Sequence, residues 1–226
     1  MAKIKILIVD DEEDILDLLA YNLEKEGYAV VKAMDGEEAI AVAKKEKPQM
    51  ILLDIMMPQL DGIETCRRIR ELPEMEGVYI VFLTARSEEY SELAGFEAGA
   101  DDYIPKPIKP RVLMSRLKAI MRRESNMAGA STIKVHDLEI IKDEYLVRRN
   151  QEELTLPRKE FELLYFLASK PGKVFRREEL LKNIWGDVYV VDRTIDVHIR
   201  KLREKIGDSY IITIKGVGYK FLSTNH

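Results

Sequence analysis

Asp10 and Asp11 follow the apolar run ILIV, Asp54 follows ILL, Thr84 follows VFL, and Lys106 precedes Pro107. Three carboxylates, a hydroxyl and an ammonium can support phosphoryl chemistry if they meet. Two unit charges about 4 Å apart repel by roughly 4 kcal/mol at an effective dielectric of 20. A divalent cation on oxygen ligands relieves that repulsion, and Mg²⁺ suits a site with few carboxylates, retained waters and a phosphate oxygen. Lys106 adds a second positive charge and Thr84 a hydroxyl donor. Such a group stabilises phosphoryl transfer onto one carboxylate, giving an aspartyl-phosphate. Taken singly the residues are ordinary. Asp10 and Asp11 could cap the helix that follows them, Thr84 could end a strand, and Lys106 could be a surface charge.

The elements that position these residues alternate. Short apolar runs in KIKILIVDD, YAVVKA, QMILLD, VYIVFLTA and DDYIPK read as strands. Between them, helical spacing predicts helices over 14–25, 36–45, 62–70, 88–98 and 110–123. In the first, Ile15, Leu18, Leu19 and Leu23 are expected to face the core; in the second, Ala39, Ile40 and Ala43. Five strands in strict alternation with five helices imply an α/β fold, with a parallel sheet covered on both faces. In such sheets the carboxyl ends of the strands converge on one crevice. Asp10, Asp11, Asp54, Thr84 and Lys106 come from four of those ends.

At 226 residues the chain is comfortable for two domains, and 46% hydrophobic with 34% charged residues predicts ordinary cores. No stretch approaches the roughly 18 apolar residues of a membrane span. The N-terminal segment is apolar only over Ile6 to Val9, which argues against a secretory signal. The single cysteine, Cys66, falls at an apolar helical position and is expected to be a buried hydrophobe. A reducing, cytoplasmic setting is expected. The net charge of −4 hides an asymmetry: residues 1–123 carry 18 basic and 24 acidic side chains, residues 124–226 carry 18 and 16. Residues 193–220 hold seven basic and three acidic residues. A basic segment of this kind fits an anionic partner, although a solvated charged face is the commoner cause.

Residues 124–131, ESNMAGAS, read as a linker between domains at 1–123 and 132–226. Beyond it, TIKVHDLEII and EYLVRRNQEELTL alternate like antiparallel strands. A helix follows from Pro157, with Phe161, Leu164, Tyr165 and Leu167 on its apolar side. RREELLKNIWG is a second helix, stopped at Gly186. The third runs from 192 to 206, capped by Asp192, with Ile195, Ile199, Leu202 and Ile206 as its stripe. YIITIKGVGYKF reads as a hairpin turning at Gly216 and Gly218. Off the stripe of the third helix stand Arg193, Thr194, Val197, His198, Arg200, Lys201 and Arg203. A helix fits the DNA major groove, where basic residues meet phosphates and others reach base edges.

LIVDDEED, ILLDIMMPQLDG, VFLTAR and AGADDYIPKP resemble the receiver motifs of two-component response regulators, in order and at family spacing over residues 4–123. The resemblance implies that Asp54 is phosphorylated by a sensor histidine kinase. Asp11, Asp54 and the main-chain carbonyl of Met56 would bind Mg²⁺, with Asp10 acting largely through water. Lys106 would pair with the phosphoryl oxygens, Thr84 would swing toward them, and Tyr103 would turn inward as it does. The Lys106–Pro107 bond would be cis. Met56 and Arg86 occupy positions that tune the lifetime of the phosphate in receivers. Phosphorylation adds roughly −1.5 to −2 charges, and the face made by residues 88–98, 102–106 and 110–123 would then act as the bistable element and dimerise.

LTLPRKEFELLYFLA, VFRREELLKNIWG, VDRTIDVHIRKLREKIG and IKGVGYKF are similar to the winged-helix output domain of the OmpR/PhoB class. That similarity makes the 192–206 helix the recognition helix and the hairpin a wing, with Lys215 directed to the minor groove. Residues 186–194 would meet RNA polymerase, and the DNA target would be direct-repeat half-sites. Lys215 stands where the family usually has arginine. A basic–acidic pair common at receiver dimers is replaced by Glu92 and Val112, leaving Asp101 with Arg123 and Asp102 with Arg116 as other pairs. The expected protein is a transcription regulator rather than an enzyme. Two other classes share part of the pattern: a phosphohydrolase with Asp54 as nucleophile, which would need a substrate pocket, and a pseudo-receiver that binds DNA without phosphorylation.

Overall fold

The computed structural model describes residues 3–75, 77–85, 89–123, 132–186 and 193–222; for residues 85, 89–93, 118–123 and 193 it describes the backbone alone. The chain divides into two compact units, Met1–Met127 and Ala128–His226.

In the first unit, five strands form one parallel sheet: β1 (Lys5–Val9), β2 (Ala29–Ala33), β3 (Met50–Asp54), β4 (Tyr79–Ala85) and β5 (Asp102–Lys106). Their order is β2-β1-β3-β4-β5. This is the doubly wound arrangement whose switch point lies between the first and third strands. Every residue of β3 is buried, as an unbroken apolar run with helices on both faces requires. The helices are α1 (Glu13–Lys25), α2 (Gly36–Glu46), α3 (Gly62–Arg70), α4 (Glu89–Ala98) and α5 (Pro110–Arg123), with a 3₁₀ turn at Pro73–Met75. Asp35 and Asp61 cap α2 and α3, each accepting a backbone N–H three residues on.

The inward face of α1 differs from the expected one. Leu16, Leu19, Ala20 and Leu23 are buried, while Leu18 is 51% exposed. Apolar residues at 15, 16, 18, 19, 20 and 23 fit two overlapping stripes, and the sheet selects the one containing Leu16. In α2, Ala39 and Ala43 are buried as expected and Ile40 lies at the edge. Cys66 is fully buried, its thiol 3.6 Å from the Ala98 carbonyl.

The second unit opens with an antiparallel sheet in the order β6 (Thr132–Val135), β7 (Leu138–Ile141), β8 (Leu146–Arg149) and β9 (Glu152–Leu154). Three helices follow: α6 (Arg158–Ala168), α7 (Arg177–Ile184) and α8 (Arg193–Ile206). Pro157 stands at the N-cap of α6, just before its first turn. Between α6 and α7 lies a short strand not expected from the sequence pattern, β10 (Val174–Arg176). It pairs with β12 (Gly218–Phe221), which pairs with β11 (Ile211–Ile214), so the expected hairpin is part of a three-stranded sheet. Ile195, Ile199, Leu202 and Ile206 of α8 are all buried. The cap expected at Asp192, the 124–131 linker and most of the 186–194 segment lie outside the described residues.

Candidate functional site

The switch point of the first sheet brings the acidic residues together. Asp10 follows β1 and Asp54 ends β3, and these strands are neighbours. Carboxylate oxygens of Asp10, Asp11 and Asp54 lie within 4.8 Å of one another. Asp10 and Asp54 are buried, and Asp11 is exposed at the rim. Asp10 also accepts the Glu12 N–H at 3.1 Å, so it does turn the chain into α1, though α1 has no side-chain cap of its own.

Lys106 reaches in from the end of β5. Its Nζ lies 2.8 Å from Asp10 Oδ2 and 2.8 Å from Asp54 Oδ1. Burial holds the Asp54 carboxyl above the ordinary aspartate range, opposed by the Lys106 ammonium and the Met56 N–H at 3.0 Å. Burial also works against the Lys106 ammonium, but Asp10 and Asp54 together keep it above the usual lysine value. When ionised, three carboxylates against one ammonium leave a residual charge of about −2, which a divalent cation on oxygen ligands neutralises. The donor set therefore fits such an ion.

Gly62 sets the shape of this site. A Cβ at Gly62 would overlap the Asp54 carbonyl oxygen and stand 2.9 Å from Ile55 Cα. The start of α3 is packed directly on the end of β3, and the Gly62 N–H donates to the Ile55 carbonyl at 3.0 Å. In the loop from Ile55 to Asp61, Ile55, Met57 and Leu60 are buried while Met56 is 75% exposed.

Thr84 and Tyr103 lie beside this centre. Thr84 is one residue past Leu83, the register partner of Asp54, and is half-buried. Tyr103 stands opposite Phe82 on β4 and is 3% exposed, so it lies inside rather than half out. Its ring centroid is 4.8 Å from that of Phe96 and 5.3 Å from that of Phe82. The Lys106–Pro107 peptide is cis. Arg86 and the side chain of Glu92 lie outside the described residues.

Two dimer pairs expected from sequence are revised. Asp101 is fully buried and held inside its own chain by Arg70 at 2.6 Å and the Ile80 N–H at 2.8 Å, so it is not a partner for Arg123 of another copy. Asp102 is 2% exposed and accepts the Tyr103 N–H, while Arg116 donates to the Tyr103 carbonyl at 2.5 Å. Both are committed within the chain.

The α8 surface is also narrower than expected. Thr194 is fully buried and His198 is 2% exposed, its ring 5.0 Å from that of Trp185, so neither faces a duplex. Burial, reinforced by Lys201, Lys159 and Lys205, pushes His198 down to about 3. Arg203 donates to the Ile211 carbonyl at 2.6 Å and Thr213 Oγ1 at 2.9 Å, tying α8 to β11. Arg200 and Lys215 are exposed, Val197 and Lys201 half-buried. The side chain of Arg193 is outside the described residues. Unforeseen was Asp196, whose Oδ1 accepts from Arg177 Nε and Tyr219 Oη, each at 2.7 Å. Burial and Asp196 push the Tyr219 phenol up to about 12.

Comparison with known proteins settles the family. Residues 6–118 match the response regulator receiver domain, and residues 151–221 match the family described as transcriptional regulatory protein, C terminal. The alkaline phosphatase synthesis transcriptional regulatory protein PhoP of Bacillus subtilis is 46% identical over 231 residues, covering 96% of this chain and 95% of that protein. DrrB of Thermotoga maritima, described as an OmpR/PhoB homolog, is 37% identical with a TM-score of 0.52, covering 98% of this chain and 100% of the other. The chain belongs to the OmpR/PhoB-type response regulators. A variant of RitR resembles this regulator at 28% identity and a TM-score of 0.74, over 97% and 99% of the two chains. The regulator thus joins a phospho-aspartate receiver to a winged-helix DNA-binding domain, acts in transcription rather than as an enzyme, and works with a histidine kinase and DNA. No helix among its described residues is long and apolar enough to cross a membrane.

Proposed function

We propose that this response regulator is phosphorylated on Asp54 by a sensor histidine kinase and then binds operator DNA more tightly. The observation that carries this reading is the Lys106 ammonium set between Asp10 and Asp54 in a cluster of three carboxylates. A carboxylate oxygen of Asp54 attacks the phosphorus of phosphohistidine, and the imidazole nitrogen leaves with the bonding pair. Asp11, Asp54 and the Met56 carbonyl would hold Mg²⁺, with Asp10 acting through water, and the ion would supply positive charge to the phosphoryl oxygens. Lys106 then pairs with one of those oxygens, and Thr84 donates to another.

Residues 1–123 form the receiver, 124–131 the linker and 132–226 the output domain of a cytoplasmic protein. The face of α4, β5 and α5 pairs two copies, through contacts other than Asp101 and Asp102; Val112, 44% exposed, lies on it. On DNA, Arg200 and Lys201 of α8 meet the duplex with Arg193 and Val197, and Lys215 reaches the minor groove over direct-repeat half-sites. Residues 186–194 contact RNA polymerase. The test is duplex affinity of the full chain with and without acetyl phosphate and Mg²⁺. Wild type should gain affinity and Asp54→Asn should not; an equal gain in both removes Asp54 from the switch.

A further inference from the structure

Gly95 lies in the interior of α4, where glycine is less favourable than alanine. A glycine at such a position calls for a packing reason, and the ring of Tyr103 supplies it. A Cβ on Gly95 would overlap the Tyr103 hydroxyl oxygen and stand 2.8 Å from both Tyr103 Cζ and Phe82 Cε2. Real Cβ atoms essentially never come within 3.0 Å of such neighbours. The ring has little room to give way. Phe82 and Phe96 are fully buried and flank it, and the β4–β5 register fixes Phe82 opposite Tyr103. Its own backbone is pinned through its carbonyl, which accepts from Arg116.

We infer that Gly95 is a positioning residue for the switch: its bare Cα is the seat in which Tyr103 lies inside, and a side chain at position 95 holds the ring out. The α4 backbone thereby reads the rotamer of Tyr103 directly. When the ring is in, α4 can stand against it; when it is out, the hydroxyl leaves the Gly95 Cα. This rests on the reading that Thr84 and Tyr103 carry the phosphorylation signal to the α4 face, and it adds the residue that receives it.

The test uses full-length Gly95→Ala beside wild type. Nitration by tetranitromethane, mapped by peptide mass spectrometry, reads whether Tyr103 is sheltered. Tyr103 should be nitrated several-fold faster in Gly95→Ala, while acid-labile labelling from acetyl phosphate and Mg²⁺ stays close to wild type and the phosphodonor-dependent gain in duplex affinity is lost. Unchanged protection of Tyr103 in folded Gly95→Ala overturns the inference. The same substitution in a Tyr103→Leu background covers the case of poor folding. With the phenol gone only the Phe82 contact remains, so alanine should lower the thermal midpoint by clearly less than it does beside Tyr103; an equal loss in both backgrounds shows that the glycine serves something other than Tyr103. Absence of labelling in wild type would instead remove the phosphoacceptor reading, and the nitration and double-variant comparisons would still decide the role of Gly95.

Discussion

The Lys106 ammonium bridges Asp10 and Asp54, 2.8 Å from an oxygen of each, although Lys106 is 52 residues from the second and 96 from the first along the chain. One cation therefore ties the ends of β1, β3 and β5 at the centre of the receiver. It is the strongest local force keeping Asp54 ionised, since burial and the Asp10 charge both raise the carboxyl.

Lys106→Met should move the pH dependence of labelling to higher pH. The attacking species is the carboxylate, which exists above the pKa of Asp54. Removing the ammonium leaves burial, and the nearby Asp10 charge, less opposed, so that pKa rises further. Labelling from a small phosphodonor, followed against pH, should show a lower yield at neutral pH and a midpoint displaced upward. A midpoint that stays in place, or moves to acid, contradicts the role given to Lys106.

Arg70→Ala should destabilise the receiver strongly. Arg70 donates to the Gly99 and Val78 carbonyls and to Asp101, whose side chain is fully buried. Truncation takes the Arg70 cation from a buried carboxylate that also accepts the Ile80 N–H, a loss of about 3–5 kcal/mol for a broken buried pair. Urea unfolding followed by far-UV circular dichroism would measure it. A loss under about 1 kcal/mol, the range of exposed pairs, would mean that water reaches Asp101.

His198 should make the winged-helix domain acid-sensitive. Its folded pKa, about 3, lies below the ordinary histidine value of 6.5, so only the unfolded chain takes up the proton between those values. The contribution is fully present above the unfolded pKa and is lost as pH falls below it. Between about pH 7 and about pH 5 the loss is about 2 kcal/mol. Trp185 is the single tryptophan and packs on His198, so its fluorescence reports this unfolding alone. His198→Gln should flatten the dependence; an equally steep fall in the variant assigns it to other groups.

Arg200→Ala and Arg203→Ala should fail in different ways. Arg200 is exposed, with an i,i+4 partner in Glu204 at 3.3 Å. Its loss should weaken duplex binding and reduce the salt slope by about 0.9 per phosphate contact removed. Arg203 is spent on β11, so its loss should lower the thermal stability of the output domain. A reversed pattern would move the DNA face around α8.

The residues that could be read from sequence are those whose neighbours along the chain decide their fate. The run ending in Asp54 announces a buried strand, and Ile195, Ile199, Leu202 and Ile206 announce an inward stripe at helical spacing. Thr194 and His198 flank that stripe, and what buries His198 is Trp185, a residue of another segment. Lys159 and Glu160 are buried for the same reason: Lys205, 45 residues away, pairs with Glu160, and the Ile184 carbonyl accepts from Lys159. Three-residue β10 has one inward side chain, Phe175, too few for an alternation to be seen. Gly62 and Gly95 are functional through what they lack, and only the atoms pressed against them reveal it.

The most direct measurement is to locate the phosphoryl group. Full-length protein labelled from acetyl phosphate with Mg²⁺, reduced with borohydride and digested, should yield a single modified peptide carrying the change at Asp54, and Asp54→Asn should take up no acid-labile label. Full labelling of Asp54→Asn, or a modification mapped to another residue, would contradict the account.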